Sequence, residues 1–259
     1  MSDPIDARFA LAQIIASEGA ELALRFFNAR ETLIVEDKVN PQDMVSQADR
    51  EVEILLRDRI SAAFPDDAIL GEEGGGQGGT TGFTWVLDPI DGTAPFLAGL
   101  AHWCVVVALV KDDETVAGVI AQPMAAEVFS ARKGAGMWLN GKQVVLGTEL
   151  KINNCNIGMG ISHRSPLPPF IDAIGRLCAA GGMFYRNGSG AVMLASVAVG
   201  RLGGYYEPHM NPWDCLAGLL MVREAGGRTL PFPPGPDGGI VLAGAGGVYD
   251  DLEGICLRP

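Results

Sequence analysis

An apolar run that stops at two carboxylates constrains this chain more than any other stretch: Trp85-Val86-Leu87 leads straight into Asp88-Pro89-Ile90-Asp91-Gly92-Thr93. Leu87 and its neighbours read as the end of a buried strand, and Pro89 holds Asp88 extended. Both aspartates are therefore expected on a turn, aimed at one cavity. Hard cations such as Mg2+ take oxygen ligands from a few carboxylates, substrate phosphate and water. Asp88, Asp91 and a carbonyl between them are donors of that kind, and Gly92 and Thr93 follow as backbone donors for a phosphate. An Asp-Pro-x-Asp-Gly string is also ordinary turn chemistry, so the reading depends on what other segments bring to the same place.

With 259 residues, 48% of them apolar, the chain can bury a substantial core without disulfides or structural metals. Its formal charge of −12 opposes nucleic acid or an anionic membrane surface as the main partner. An acidic protein that handles an anionic phosphate must neutralise it locally, and bound cations are the simplest means. The five cysteines are scattered and fit neither a zinc site nor a disulfide scaffold, so most are expected as buried thiols in a reducing cytoplasm. Met1-Ser2-Asp3-Pro4 has no basic leader, and no apolar run approaches the roughly 20 residues that span a bilayer. The expected location is cytoplasmic.

Apolar spacing predicts helices over Ile5–Phe27 and Gln47–Ala63, paired with one another. Ala68–Leu70 reads as a short strand that delivers Gly71-Glu72-Glu73 into a mobile, glycine-rich loop ending at Gly82. Beyond the Asp88 turn, Trp103–Val110, Thr115–Ala121 and Glu127–Ala131 read as an antiparallel meander, closed by a hairpin at Asn140-Gly141. The nearby Gly136-x4-Gly141-Lys142 is not a P-loop, because Gln143 replaces the metal-binding Ser or Thr and no helix follows. A composition shift around Thr148–Lys151 predicts two parts, 1–148 and 149–259. In the second, strands (Asn156–Gly160, Gly203–Glu207) alternate with helices (Pro168–Ala180, Gly190–Val199, Pro212–Ala225), and Pro231–Gly239 reads as a loop.

Asn211-Pro212-Trp213-Asp214 is a helix start with Asp214 in the first turn, a place the helix dipole alone favours for an acid. Glu72 and Glu73 by themselves could merely solvate a loop. Carboxylates nonetheless fall at strand ends or helix starts in three separate segments, as a cavity for two or three cations requires. Competing chemistries fare worse. His102, His163 and His209 lack zinc spacing, and Ser189 in Asn187-Gly188-Ser189-Gly190 is one glycine short of a nucleophile elbow. Gly188–Ala191, entering an apolar helix, suggests backbone amides facing an anion or a polyol.

These segments together carry a resemblance. Gly71-Glu72-Glu73, Trp85 through Thr93 with Phe96, and Trp213-Asp214 with Ala217-Gly218 and Glu224-Ala225-Gly226-Gly227 are similar, in order and approximate spacing, to the inositol monophosphatase family of Mg2+-dependent, Li+-sensitive phosphatases. The resemblance implies a layered αβαβα sandwich, a homodimer, and hydrolysis of a small phosphate monoester. It gives Glu72, Asp88 and the Ile90 carbonyl to a first Mg2+, and Asp88, Asp91 and Asp214 to a second. Glu72 would also face a weaker third ion, with Mn2+ an alternative metal and Ca2+ and Li+ inhibitory. It makes Thr93 and Asp49 the pair that orients the attacking water and puts Lys38 on a loop near the site. Gly92, Thr93 and Asp91 would meet the phosphate, and Gly188, Ser189, Gly190 and Glu207 the alcohol. Glu207 matches the inositol branch, whereas Ala94-Pro95 and Phe96-x-x-Gly99 with Trp103 look more like histidinol-phosphate phosphatases. Inositol 1-phosphate is the leading substrate and histidinol phosphate or another small polyol phosphate the second. A non-catalytic metal-binding module is a third reading, opposed by the intact ligand set.

Overall fold

The computed structural model describes residues 3–37, 44–147 and 149–257. Helix α1 (Pro4–Asn28) starts at Pro4, with the Asp3 carboxylate accepting from the Ile5 amide at 3.0 Å. A hairpin of β1 (Val35–Asp37) and β2 (Met44–Ser46) leads to α2 (Gln47–Ala63), which begins with a capping box between Ser46 and Asp49. Then come β3 (Ala68–Gly71), β4 (Gly75–Gln77), β5 (Phe83–Asp91), the short α3 (Thr93–Leu97), β6 (Cys104–Lys111), β7 (Glu114–Gln122), β8 (Glu127–Arg132), β9 (Gly136–Leu139) and β10 (Lys142–Val144). Among the described residues these strands form one sheet of order β10-β9-β8-β7-β6-β5-β3-β4, antiparallel except where β3 and β5 run together. The expected meander is present, and its last turn has Asn140 and Gly141 both at positive φ, as a tight two-residue hairpin needs.

The chain then builds β11 (Asn156–Met159), α4 (Leu167–Ala179), β12 (Met183–Tyr185), α5 (Gly190–Ala198), β13 (Gly204–Met210), α6 (Pro212–Glu224), β14 (Arg228–Thr229), β15 (Gly239–Gly244) and α7 (Gly246–Cys256). The second sheet has the order β12-β11-β13-β15-β14, parallel across β12-β11-β13 and antiparallel beyond. No helix among the described residues is long and apolar enough to cross a membrane.

Strand alternation sorts side chains into layers. On β5, Trp85 and Leu87 pack with Ile15, Val52 and Leu56 of α1 and α2, whereas Val86 packs with α5 and α6. On β13, Tyr205 faces α5 and α6 from the other side, and Tyr206 faces α4 and α7. The result is α1/α2, sheet, α5/α6, sheet, α4/α7, the αβαβα sandwich expected from the resemblance. The apolar character of α5, and of α6 from Cys215 to Val222, is explained by their place between two sheets.

Two local expectations change. Asp88 and Asp91 do not sit on a turn, because β5 continues through Asp91 with an irregular register: Asp88 pairs with Val106 and Asp91 with Cys104. Three steps along β5 oppose two along β6, the mark of a bulge, and Pro89 sits where no ladder donor is required. The glycine-rich segment is also not all loop, since Gly75–Gln77 pairs with Ile69–Gly71 as a hairpin edge.

Candidate active site

The bulge decides where two carboxylates go. Residues three apart on a regular strand face opposite sides, so Asp88 and Asp91 would part. The extra residue turns Ile90 into the core against α1 and α2 and brings Asp91 back to the face that carries Val86 and Asp88. Asp88 Oδ1 accepts from the Ile90 amide at 3.0 Å, which braces the bulge. Both carboxylates then look into the layer where α5 and α6 begin.

Asp214 is the third residue of α6, and its Oδ2 accepts from the Asn211 amide at 3.0 Å. Glu72 follows β3, its amide bonded to the Leu87 carbonyl at 3.2 Å. Oxygens of Glu72, Asp88 and Asp214 lie within 4.8 Å of one another. Burial first, and then repulsion from Glu72, Asp91, Asp214 and Asp49, hold Asp88 well above the ordinary carboxylate range. Burial, Glu72 and Asp91 do the same to Asp214. A crowded, desolvated set of oxygen donors is what a hard divalent cation fits and what few other groups would relieve.

Asp91 is also raised by burial, against an array of donors at its Oδ2. The Ala191 amide reaches that atom at 2.7 Å, the Ser189 hydroxyl donates to it in a short bond, and the Cys104 thiol lies 3.8 Å away. The Ser189 hydroxyl is thus engaged with Asp91 and with the Val192 amide as the cap of α5, while the residue still lines the cavity. The Asp91 anchors Cys104 and Ala191 were not foreseen from sequence; they come from residues 13 and 100 positions away.

Gly92 has φ +95°, and a Cβ there would lie 2.8 Å from the His102 carbonyl, so glycine alone admits the step from β5 into α3. That step presents Thr93, whose Oγ1 is 3.2 Å from both Asp49 Oδ1 and the Ile90 carbonyl. Its one proton has two acceptors to choose between. Asp49 Oδ2 is committed to Ser46, at 2.9 Å to the amide and 2.6 Å to the hydroxyl. Burial raises the Asp49 pKa despite these bonds.

Glu72, Asp88, Ile90, Asp91, Thr93 and Asp214 border one cavity of about 800 Å3. Gly92, Gly188, Ser189, Gly190 and Glu207 line it too. Tyr205 donates a short bond to Glu207, whose carboxyl burial lifts to about 7 against that bond and the nearby Arg186 and Arg164. Those two arginines border the cavity and were not singled out in the sequence. Lys38 lies outside the described residues. Phe96 and Trp103 are fully buried and packed edge to face at 4.9 Å, in the core beside Phe27.

A model described as the inositol monophosphatase family matches residues 4–255. The inositol-1-monophosphatase of Rhizobium meliloti is 34% identical over 255 residues, covering 96% of this chain and 95% of its own length. A Xylella fastidiosa protein named Nus factor SuhB is 37% identical over 219 residues, 84% of this chain and 79% of its own. Among solved structures, the extragenic suppressor protein suhB from Bartonella henselae matches with a TM-score of 0.90 at 31% identity, over 97% of this chain and 99% of that one. Sequence, layer order and carboxylate geometry agree, and the chain belongs to the inositol monophosphatase family.

Proposed function

We propose that the protein is a Mg2+-dependent phosphatase that releases phosphate from a small polyol monoester, with inositol 1-phosphate the first choice. The observation that carries the reading is the meeting of Glu72, Asp88 and Asp214 oxygens within 4.8 Å on a cavity that also reaches Thr93 and Glu207. Glu72, Asp88, Asp91, Asp214 and the Ile90 carbonyl would hold two Mg2+ ions, with Glu72 open to a third. When bound, such ions neutralise the phosphate and supply an activated water.

The chain's own groups do the rest. Asp49, lifted by burial, is a stronger proton acceptor than an exposed aspartate. It takes the Thr93 hydroxyl proton in a hydrogen bond, leaving a Thr93 lone pair to hold the attacking water on its line to phosphorus. Gly92 and Thr93 amides bind phosphate oxygens, and Asp91 is kept rigid by Ser189 and Ala191 so that its second oxygen stays available. Gly188, Gly190 and Glu207 face the alcohol, and Glu207, with Tyr205 on one oxygen, accepts from substrate hydroxyls with the other. By the resemblance alone, Lys38 would be a further basic residue for the substrate. The enzyme acts as a cytoplasmic homodimer, with Mn2+ replacing Mg2+ and Li+ and Ca2+ inhibiting.

Histidinol phosphate is the second reading, supported by Ala94 and Pro95, which line the cavity. Mg2+-dependent phosphate release from the two monoesters side by side tests the choice. Preference for inositol 1-phosphate supports Glu207 as the discriminating residue, and preference for histidinol phosphate transfers that role to Ala94 and Pro95. Metal binding without turnover of any monoester would leave a binding module instead.

A further inference from the structure

We infer that Glu53 is a positioning residue for Glu72, acting through the backbone of the turn that carries it; this rests on reading Glu72 as a cation ligand. The Glu53 side chain is 3% exposed, and a carboxylate that deep is costly unless its oxygens are paired. Its partners converge from one turn and one arginine. Oε2 accepts from the Glu73 amide at 2.8 Å, and Oε1 from the Gly74 amide at 2.8 Å and from Arg57 Nε at 2.6 Å. Arg57 then donates through Nη2 to the Gly75 carbonyl at 2.6 Å. Two side chains of α2 therefore bind two residues of the β3–β4 turn and the first residue of β4, and the Glu72 amide is tied to Leu87 on the other side.

Glycines make room for the clamp. A Cβ on Gly71 would lie 2.3 Å from Glu53 Oε1, and one on Gly74 would lie 2.6 Å from the same atom. Asp49 and Glu53 are one helical turn apart and share a face of α2. The helix thereby refers the Thr93–Asp49 pair and the Glu72 turn to a single rigid frame, which the catalytic geometry needs.

The test is Mn2+ binding to the substrate-free protein, measured by calorimetry, alongside the Mg2+ dependence of phosphate release. Glu53→Gln keeps the volume but turns an NH2 toward one of the donors. It is expected to weaken Mn2+ binding about tenfold or more, as loss of outer-sphere support does. The Mg2+ needed for half-maximal rate should rise alike while kcat at saturating Mg2+ changes little. Gly74→Ala presses on the clamp from outside the α2 core and should shift binding the same way. Thr81→Val removes a part-buried 2.6 Å bond to Asp67, outside the Glu53 clamp, and should lower Tm with the Mn2+ isotherm unchanged. Wild-type binding in Glu53→Gln and Gly74→Ala, or a loss no larger than in Thr81→Val, overturns the role of Glu53. Absence of Mn2+ binding by the wild type overturns the reading of Glu72 itself, and this inference with it.

Discussion

Asp67 and Asp88 are both buried, at 2% and 1% exposure, and their surroundings are opposite. Asp67 receives two bonds from Arg8, at 2.7 and 2.8 Å, one from Thr81 at 2.6 Å and one from Trp85 Nε1 at 2.9 Å. Arg8 is itself held between the rings of Phe64 and Phe83. Burial pushes Asp67 up, but these bonds outweigh it and hold the carboxyl below its ordinary range. Asp88 is pushed the same way by burial, and its charged neighbours add to the push. Burial alone therefore does not separate a structural acid from a functional one; the sign of what surrounds it does. Trp85 and Asp88 share strand β5, so one strand fastens a staple and opens a site.

The sharpest way to break this contrast is Asp88→Asn. Phosphate release should fall by about a thousandfold or more, roughly 4 kcal/mol of transition-state stabilisation at 1.36 kcal/mol per decade. A rate within tenfold of wild type would end the assignment. Asp67→Asn should instead leave the specific activity of folded protein unchanged. It should cost about 3 kcal/mol in urea unfolding, because it strands a buried guanidinium.

The two regions should also answer pH with opposite signs. Asp67 has a lowered folded pKa, so its stabilisation is present above the unfolded value near pH 4 and is lost as pH falls through the folded one. Asp88 and Asp214 have raised folded values, so without metal their contribution is complete below about pH 4 and is lost as pH rises. Chelated protein should therefore gain from Mg2+ at pH 7.5. At a hundredfold excess over Kd the gain is about 2.7 kcal/mol, or about 5–10 °C in Tm for a chain of this size. Near pH 4.5 calorimetric scans should show almost no gain, and an equal gain at both pH values would refute the linkage.

The smallest effect concerns the alcohol side. Glu207, lifted to about 7, should ionise between pH 6 and 8, and KM for inositol 1-phosphate should improve over that interval as it becomes a pure acceptor. Glu207→Gln should raise KM about tenfold, in line with one charged hydrogen bond, and flatten the pH response. A Gln variant that keeps the wild-type profile removes Glu207 from substrate contact.

Much of this was legible because its causes are local. The capping Ser46 and Asp49 start α2, Asn140-Gly141 makes a hairpin, and Asn211-Pro212 puts Asp214 in a first turn. Illegible parts depend on distant partners. The Asp88 segment has the composition of a turn, and only the register against Val106 and Cys104 makes it a bulge. The bond from the Ser189 hydroxyl to Asp91 joins residues 98 positions apart, which no local pattern announces. Glu53 stands four residues after Asp49, a spacing visible in the sequence, but its partners at Glu73 and Gly74 belong to another element. Near the end, Ala243-Gly244-Ala245-Gly246 conceals the junction of β15 and α7, since small residues carry neither periodicity strongly.

The single extra residue in β5 acts on the strand as a frameshift acts on a message: everything after it is read on the other face. Flattening the bulge with every residue kept would send the Asp91 carboxylate toward α1 and α2, whereas removal of Pro89 or Ile90 would leave Asp91 two residues from Asp88 and on the same face. The site thus depends on whether the bulge forms rather than on length as such, and along β5 a change that irons the strand flat is more damaging to the pair of carboxylates than a lost codon.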